Sequence, residues 1–228
     1  MVQLVLWDMD HTLVATRGIS GELFGRAFRE VTGVEMKQYA GTDGMTDAVA
    51  FRETAKAHEL SVGRGDFDRF AVALAELHLL RGPAIHERGH ALPGAAAALS
   101  GVASLPGVRQ TIVTGNVRGA AEVKLRVLGL ESQIDWSIGA YGEDGDEPAE
   151  LVRTALGRAA RSGQELPASG AVLIGDTPSD VKAGIASGVR VVAVASGRSD
   201  ESELRAAGAE SVLPGLDDTE ELLKLLAE

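Results

Sequence analysis

Cysteine is absent from all 228 residues of the chain. The protein can therefore form neither a disulfide nor a thiolate metal site, and a reducing compartment is compatible with it.

Positive charge is also scarce, since 22 Lys and Arg stand against 33 Asp and Glu, for a formal charge of −11. A protein that binds the phosphate backbone of a nucleic acid needs a basic surface, so no nucleic-acid partner is expected.

Long apolar runs are missing as well. The N-terminal run from Val2 to Trp7 lacks a basic lead and stops at Asp8, which argues against a signal peptide. The longest apolar stretch, Ala91 to Val108, contains two prolines and is too broken to cross a bilayer. We expect a soluble, cytoplasmic protein without a membrane partner.

Short apolar runs, in contrast, are regularly spaced. Four of them are typical of buried parallel strands: 3–7, 109–113, 171–174 and 190–194. Segments with helical spacing lie at 117–128, 149–160, 179–186, 201–206 and 218–227. The alternation of strand and helix over residues 90–228 predicts an α/β fold with a doubly wound parallel sheet.

Residues 15–88 interrupt this alternation. They show helix patterns at 20–31, 46–58 and 66–80, with no convincing strand between them. Turn-forming residues at both ends, notably between Pro83 and Pro93, give the segment soft boundaries. The sequence therefore predicts a helical insertion after the first strand.

Two aspartates follow that first strand. Because side chains alternate along an extended segment, Asp8 and Asp10 can both face the carboxyl end of the strand, where open α/β sheets bind ligands. Neighbouring carboxylates repel each other, and a hard divalent cation suits such a pair. An Asx-turn at the end of a strand is the alternative explanation of the same residues.

Two later strands end in a similar way. Thr114-Gly115-Asn116 precedes a helix, so a hydroxyl, backbone amides and a helix N-terminus can form an anion site. Asp176 follows the strand at 171–174 and can add a metal ligand, while Asp180 opens the next helix. Read alone, the first of these segments is a turn with a capping residue, and Asp180 can be a helix-dipole residue.

In their order and spacing, these segments resemble the motifs of the haloacid dehalogenase-like hydrolases, a superfamily of aspartate-nucleophile phosphohydrolases. The matching residues are Asp-x-Asp-x-Thr at 8–12, Thr114, and Gly-Asp-Thr-x-x-Asp at 175–180. The resemblance covers nearly the whole chain, and the helical insertion lies where this family carries an α-helical cap. It implies an α/β core at 1–14 and 89–228 and a cap at 15–88.

The resemblance also implies a Mg²⁺-dependent phosphatase for a small phosphorylated metabolite, in the manner of phosphoglycolate phosphatases. Asp8 would attack phosphorus to give an aspartyl-phosphate, and Asp10 would protonate the leaving alcohol and then activate water. Thr114 would hold the phosphoryl oxygens. The implied phosphate or substrate contacts add Thr12, Gly115, Asn116 and Thr46, and the implied metal ligands are Asp8, Asp10 through its carbonyl, Asp176 and Asp180. An aspartate at position 10 favours phosphate chemistry over dehalogenation.

One part of the family pattern is missing. A Lys or Arg is usual just before the helix that precedes the third motif, but residues 141–151 contain no cation. Arg153, Arg118 and Lys182 are the candidate substitutes, whereas Lys124 is interpreted as a solvated helix charge. Loss of a preorganised cation lowers a rate by a factor of about a hundred or more, so the missing residue predicts weak activity unless another cation replaces it.

Three points stay open at this stage. Thr46 either faces the substrate, within a segment at 43–47 that resembles a cap loop, or only caps a helix. A phosphoryl transferase similar to β-phosphoglucomutase would share the same core. The missing cation also permits a phosphate-binding module with little turnover.

Overall fold

A computed structural model of the chain describes residues 2–41, 44–163 and 167–227. The strands are β1 (Leu4–Trp7), β2 (Val14–Ala15), β3 (His90–Ala91), β4 (Arg109–Ile112), β5 (Ala171–Gly175), β6 (Arg190–Val194) and β7 (Ser211–Leu213). The α-helices are α1 (Ile19–Thr32), α2 (Asp47–Ala57), α3 (Arg64–Leu80), α4 (Gly82–Arg88), α5 (Ala95–Ala103), α6 (Arg118–Val127), α7 (Pro148–Arg161), α8 (Pro178–Ala186), α9 (Glu201–Ala206) and α10 (Thr219–Ala227). Short 3₁₀ turns occupy Glu131–Gln133 and Ala168–Gly170.

Five strands form one parallel sheet in the order β4-β1-β5-β6-β7. At the carboxyl end of β1, Trp7 lies opposite Ile112 of β4 and Ile174 of β5, so these three strands end at the same level. Helices cover both faces, because apolar residues of α5 and α10 pack on one side and those of α7 and α8 on the other. The predicted doubly wound α/β fold is confirmed.

Helices α1–α4, called here the inserted helices, lie between β2 and β3. These two short strands pair antiparallel, with Val14 opposite Ala91 and Ala15 opposite His90. All five phenylalanines of the chain belong to the apolar cluster of the inserted helices, and the Phe70 ring lies 4.7 Å from the Phe24 ring and 4.6 Å from the Phe51 ring. Such a cluster supplies much of the burial energy of a small helical unit. That residues 15–88 form a separate cap stays a prediction.

Helix α6 is buried on two sides. Ala121 and Leu125 pack into the cluster that covers the sheet, whereas Ala120 and Val123 pack into the cluster of the inserted helices. A helix with one apolar stripe would face solvent on the other side. Because α6 is covered twice, it joins the sheet to the inserted helices, and only the face with Arg118, Glu122 and Arg126 is left for solvated charges.

Some elements differ from the sequence-based expectation. Residues 82–88, expected to be turns, form α4, because proline is tolerated in the first turn of a helix and Pro83 stands there. The short strand β7 at the sheet edge was not predicted, since Ser211–Leu213 is too brief to give a strand pattern. In the described part of the chain, every helix is too short or too polar to cross a bilayer.

Candidate active site

A cavity of about 330 Å³ opens at the carboxyl ends of β1, β4 and β5. Asp8 follows β1 directly, and its backbone N–H donates to the carbonyl of Ile174 at 2.8 Å. This bond continues the pairing of β1 with β5 and fixes Asp8 beside Asp176, the first residue after β5. The edge of the sheet that binds ligands in this class of fold is thus lined with carboxylates.

Three of these carboxylates lie close together. Oxygens of Asp8, Asp176 and Asp180 are all within 4.8 Å of one another. Burial, followed by the charges of Asp180 and Asp176, raises the pKa of Asp8 well above its usual value. Burial and the charge of Asp180 raise the pKa of Asp176 to about 7, and burial also raises the pKa of Asp180. Three ionised carboxylates this close together repel one another, so the cluster is unfavourable without a compensating positive charge.

Neighbouring groups hold this acidic cluster in place. The Thr12 hydroxyl donates to Asp176 Oδ1 at 3.0 Å. Asp180 Oδ2 accepts from the Thr177 hydroxyl at 2.6 Å and from the Thr177 amide at 3.0 Å, within the capping box of α8. At Gly197 a Cβ atom would lie 1.8 Å from Asp176 Oδ2, so glycine is needed for the close approach of this loop. Fixed, mutually repelling carboxylate oxygens fit a hard divalent cation such as Mg²⁺.

A second network surrounds Asp10. Lys124 Nζ donates to Asp10 Oδ2 at 2.8 Å and Oδ1 at 3.0 Å, and also to Asn116 Oδ1 at 2.8 Å. Asn116 Nδ2 donates to Asp10 Oδ2 at 2.7 Å. Burial by itself would raise the pKa of Asp10, but the charge and hydrogen bonds of Lys124 outweigh it and lower that pKa. Asp10 is therefore a stable carboxylate with its own counterion.

The interpretation of Lys124 as a solvated charge was wrong. Its side chain is only 1% exposed, because α6 lies between the sheet and the inserted helices. The sequence does contain a signal for this position: Val117, Ala120, Ala121, Lys124 and Leu128 follow the i, i+3, i+4, i+7, i+11 spacing of one buried helix face. A lysine in the middle of an apolar stripe needs a buried partner.

The proposed substitutes for the missing cation lie elsewhere. Arg153 and Lys182 are exposed on α7 and α8. Arg118 pairs with Glu122 at 2.7 Å on the surface of α6. Lys124, rather than any of these three, brings a positive charge to the predicted site.

The turn after β4 contacts both the site and the inserted helices. The Thr114 hydroxyl is buried and accepts from Asn116 Nδ2 at 2.9 Å. A Cβ at Gly115 would lie 2.5 Å from the carbonyl oxygen of Met45, so this glycine permits backbone contact with the loop before α2. The Gly115 carbonyl accepts from the Asp47 amide at 2.7 Å.

The loop before α2 is fastened to the same turn. Thr46 is buried and borders the cavity, but its hydroxyl accepts from the Val49 amide at 3.3 Å as the N-cap of α2. Asp47 Oδ2 accepts from the Val117 amide at 2.8 Å. Burial nevertheless raises the pKa of Asp47 to about 6. Asp43, part of the segment that resembles a cap loop, lies outside the described residues.

The structure brings most of the predicted site residues to one cavity. Its lining includes Asp8, Asp10, Thr46, Thr114, Gly115, Asn116, Asp176 and Asp180. Thr12, predicted to bind phosphate, does not belong to the lining, and its hydroxyl instead donates to Asp176. Their catalytic and binding roles stay predictions.

Fold and site together define an α/β enzyme whose polar site lies at the carboxyl edge of a parallel sheet. The family model described as haloacid dehalogenase-like hydrolase matches residues 5–184. The chain belongs to this family of hydrolases, which confirms the resemblance of its three motifs.

Solved structures share the fold at low sequence identity. A hydrolase from Pseudomonas syringae is 19% identical, with a TM-score of 0.70 over 99% of this chain and 100% of that one. A predicted phosphoglycolate phosphatase from Haemophilus somnus is 14% identical, with a TM-score of 0.65 over 97% and 98% of the two chains. A protein provisionally named beta-phosphoglucomutase, from Thermotoga maritima, is 20% identical, with a TM-score of 0.61 over 99% and 100%. A search of curated proteins finds no significant match.

Proposed function

We propose that this protein is a Mg²⁺-dependent phosphatase that hydrolyses a small phosphomonoester through an aspartyl-phosphate on Asp8. The proposal rests on one observation: two carboxylates with different neighbours, Asp8 and Asp10, border the same cavity. Asp8 belongs to the acidic cluster with Asp176 and Asp180, whereas Asp10 is held by Lys124 and Asn116. The two carboxyl groups lie in different environments: burial and the charges of Asp180 and Asp176 raise the pKa of Asp8, and a bound cation would offset those charges, whereas Lys124 lowers the pKa of Asp10 despite its burial.

The proposed reaction has two displacements at phosphorus. In the first, a carboxylate oxygen of Asp8 forms a bond to phosphorus, the bond to the alcohol oxygen breaks, and the protonated form of Asp10 gives its proton to that oxygen. In the second, Asp10 as a carboxylate takes a proton from water, whose oxygen attacks phosphorus and releases Asp8 and inorganic phosphate. The ion pair with Lys124 favours the carboxylate form of Asp10, which is the form required for the second displacement.

The metal would be held by Asp8, Asp176 and Asp180, with the Asp10 carbonyl as the further ligand that the family resemblance implies. When bound, Mg²⁺ would offset the charge of the carboxylates and of the transferring phosphoryl group. Thr114, buried next to Asn116, would donate its hydroxyl to a phosphoryl oxygen. Thr12 would keep Asp176 oriented toward the ion.

Lys124 also bears on the alternative of a binding module without turnover. That alternative was motivated by the absence of a cation in residues 141–151. Since Lys124 brings a buried ammonium group to the cavity, the motive no longer applies. The enzyme is therefore the function that the geometry supports best.

The test is hydrolysis of a generic phosphomonoester with Mg²⁺ and after chelation by EDTA. We expect turnover with Mg²⁺, and we expect Asp8→Asn to lower kcat by a factor of about a thousand or more, since the variant lacks the carboxylate on which the covalent intermediate forms. Asp68→Asn, an identical change at an exposed position of α3, is the matched control and should keep wild-type activity. Metal-dependent turnover by purified Asp8→Asn would refute the assignment.

A further inference from the structure

His78 is a buried histidine of α3 that the proposed reaction does not use. Its side chain is 1% exposed and lies on the apolar face of the helix with Phe70, Leu74 and Leu77. Its Nδ1 lies 2.8 Å from the carbonyl oxygen of Leu74. A carbonyl oxygen only accepts, so Nδ1 carries the hydrogen in this bond. Burial and the nearby charge of Lys124 lower the pKa of His78 to about 4, which leaves the ring neutral near pH 7.

The neutral tautomer leaves Nε2 as a hydrogen-bond acceptor. This atom is buried and has no hydrogen-bond partner within the described residues. Buried polar atoms are nearly always paired, so an unpaired acceptor calls for an explanation. His78 borders the cavity that also holds Asp10 and Lys124. A group that enters this cavity can supply the missing donor.

Lys124 is not that donor. Its ammonium group already donates to both oxygens of Asp10 and to Asn116 Oδ1, which accounts for its three N–H bonds. Satisfying His78 from Lys124 would take one of these three hydrogen bonds away from Asp10 or Asn116, and leaving such a buried partner unpaired is unfavourable.

The charges around the cavity restrict the donor further. Among the described residues of the inserted helices and their loops that border the cavity, none is Lys or Arg, and Asp47 is the acidic side chain. The two cations at the cavity, Lys124 and Arg198, both come from the α/β core. A carboxylate or a second phosphate on the leaving group would therefore meet a wall without a counter-charge.

We propose that His78 Nε2 accepts a hydrogen bond from a hydroxyl of the leaving alcohol, and that the substrates are phosphomonoesters of neutral, hydroxyl-bearing alcohols such as polyols and sugars. This inference rests on the proposed phosphatase function. It disfavours leaving groups that carry a carboxylate, and bisphosphates, which would need a second cationic subsite. His78 is a binding residue in this scheme and takes no part in proton transfer.

The first experiment compares kcat/KM of the wild type for three matched esters, with Mg²⁺ present. Glycerol 3-phosphate carries free hydroxyls, propyl phosphate has none, and 3-phosphoglycerate carries a carboxylate. We expect glycerol 3-phosphate to be favoured over propyl phosphate by about tenfold or more, because a site built to bond a hydroxyl discriminates against analogues that lack it. We expect a similar factor over 3-phosphoglycerate, because its carboxylate would meet no counter-charge on the described part of the wall formed by the inserted helices.

The second experiment compares variants of position 78. His78→Phe keeps the ring volume without an acceptor, and His78→Asn keeps a donor for Leu74 without an atom at the Nε2 position. We expect both to reduce the preference for glycerol 3-phosphate over propyl phosphate by about tenfold, mainly through KM. His78→Gln, whose amide oxygen can reach the Nε2 position, should recover most of the preference. Glu76→Gln, an exposed change on the same helix, should leave the ratio as in the wild type.

Several results would overturn the inference. Equal kcat/KM values of the wild type for the three esters would overturn it. A preference of the wild type for 3-phosphoglycerate would also overturn it. If His78→Phe lowered turnover of glycerol 3-phosphate and propyl phosphate equally, His78 would be structural and its Nε2 bonded to a buried water. If no ester, including an aromatic phosphate, were hydrolysed, the proposed function itself would fail.

Discussion

Lys124 shows how a single residue links the fold to the site. A buried ammonium group is costly unless it is paired and fully hydrogen-bonded, and its contacts with Asp10 and Asn116 meet both requirements. In return, Asp10 is ionised and held in one orientation. The same ammonium group also lowers the pKa of His78.

Replacing this lysine tests its role at the site. Lys124→Met keeps the length of the side chain but leaves Asp10 without a counterion, so the pKa of Asp10 should rise and the proposed base should become less available. We expect kcat to fall by about a hundredfold and the acidic limb of the pH–rate profile to move to higher pH. Lys224→Met on the exposed face of α10 is the matched control. An unchanged pH profile would show that Lys124 does not set the protonation of Asp10.

Asp47 gives a prediction about stability and pH. Its pKa is about 6 in the folded protein, above the ordinary 3.8, so the folded state binds this proton more tightly than the unfolded state. The contribution of Asp47 to stability is therefore fully present below about pH 4 and is lost as the pH rises through 6. Asp47→Asn keeps an acceptor for the Val117 amide but cannot ionise.

We expect the free energy of unfolding of Asp47→Asn, relative to wild type, to increase by roughly 2 kcal/mol between pH 4 and pH 7. Urea denaturation at several pH values measures this difference. Asp68→Asn is again the exposed control, and its difference from wild type should stay within about 0.5 kcal/mol. A pH-independent difference for Asp47→Asn would contradict the assigned cause.

The site residues differ in how readily the sequence reveals them. Asp8, Asp10 and Asp176 follow apolar strands, and parallel strands end at one edge of a sheet, so their approach could be predicted. Lys124 and His78 lie within helices, where a polar residue is usually exposed. Both stand inside apolar stripes, but their burial depends on which helix faces are covered, and that is a property of the tertiary packing.

At the scale of elements, the turn after β4 joins the core to the loop before α2. Its backbone and that loop exchange hydrogen bonds through Asp47, and Gly115 allows them to touch. Parallel strands and long helices were predictable from periodicity. The contact between the turn after β4 and the loop before α2 was not predictable, because it depends on the absence of a side chain at Gly115 and joins two loops that are distant in sequence.

Gly115→Ala tests the importance of this contact. The added Cβ would lie 2.5 Å from a backbone oxygen, so the loop before α2 must shift, and we expect a loss of about 1–3 kcal/mol in unfolding free energy together with lower activity. Gly65→Ala in the first turn of α3 meets no atom within 4 Å and should be neutral or slightly stabilising. Equal stabilities of the two variants, measured by thermal unfolding, would show that the loop adapts without cost.

At the scale of the whole molecule, the apolar cluster of the inserted helices and the cluster that packs on the sheet with α5 and α10 share one helix. The cluster of the inserted helices contains all five phenylalanines, and the two tryptophans belong with the clusters of the core. Helix α6 contributes to both. Removal of the inserted helices would expose an apolar face of α6, so the core is not expected to be stable alone.

This shared helix predicts cooperative unfolding. In a urea titration, tryptophan fluorescence reports the core, while circular dichroism at 222 nm includes the inserted helices. We expect the two transitions to have the same midpoint, as in a two-state process, because neither part can lose α6 without exposing its own apolar surface. An earlier transition in circular dichroism alone would mean that the inserted helices unfold independently.

The β2–β3 ribbon has a mechanical consequence for the opening of the cavity. The chain enters and leaves the inserted helices through two strands that are hydrogen-bonded side by side. A rotation of the inserted helices relative to the sheet must bend β2 and β3 together. A translation would instead require the hydrogen bonds between these two strands to break. Any opening of the cavity between the inserted helices and the sheet should therefore be a rotation about the β2–β3 ribbon.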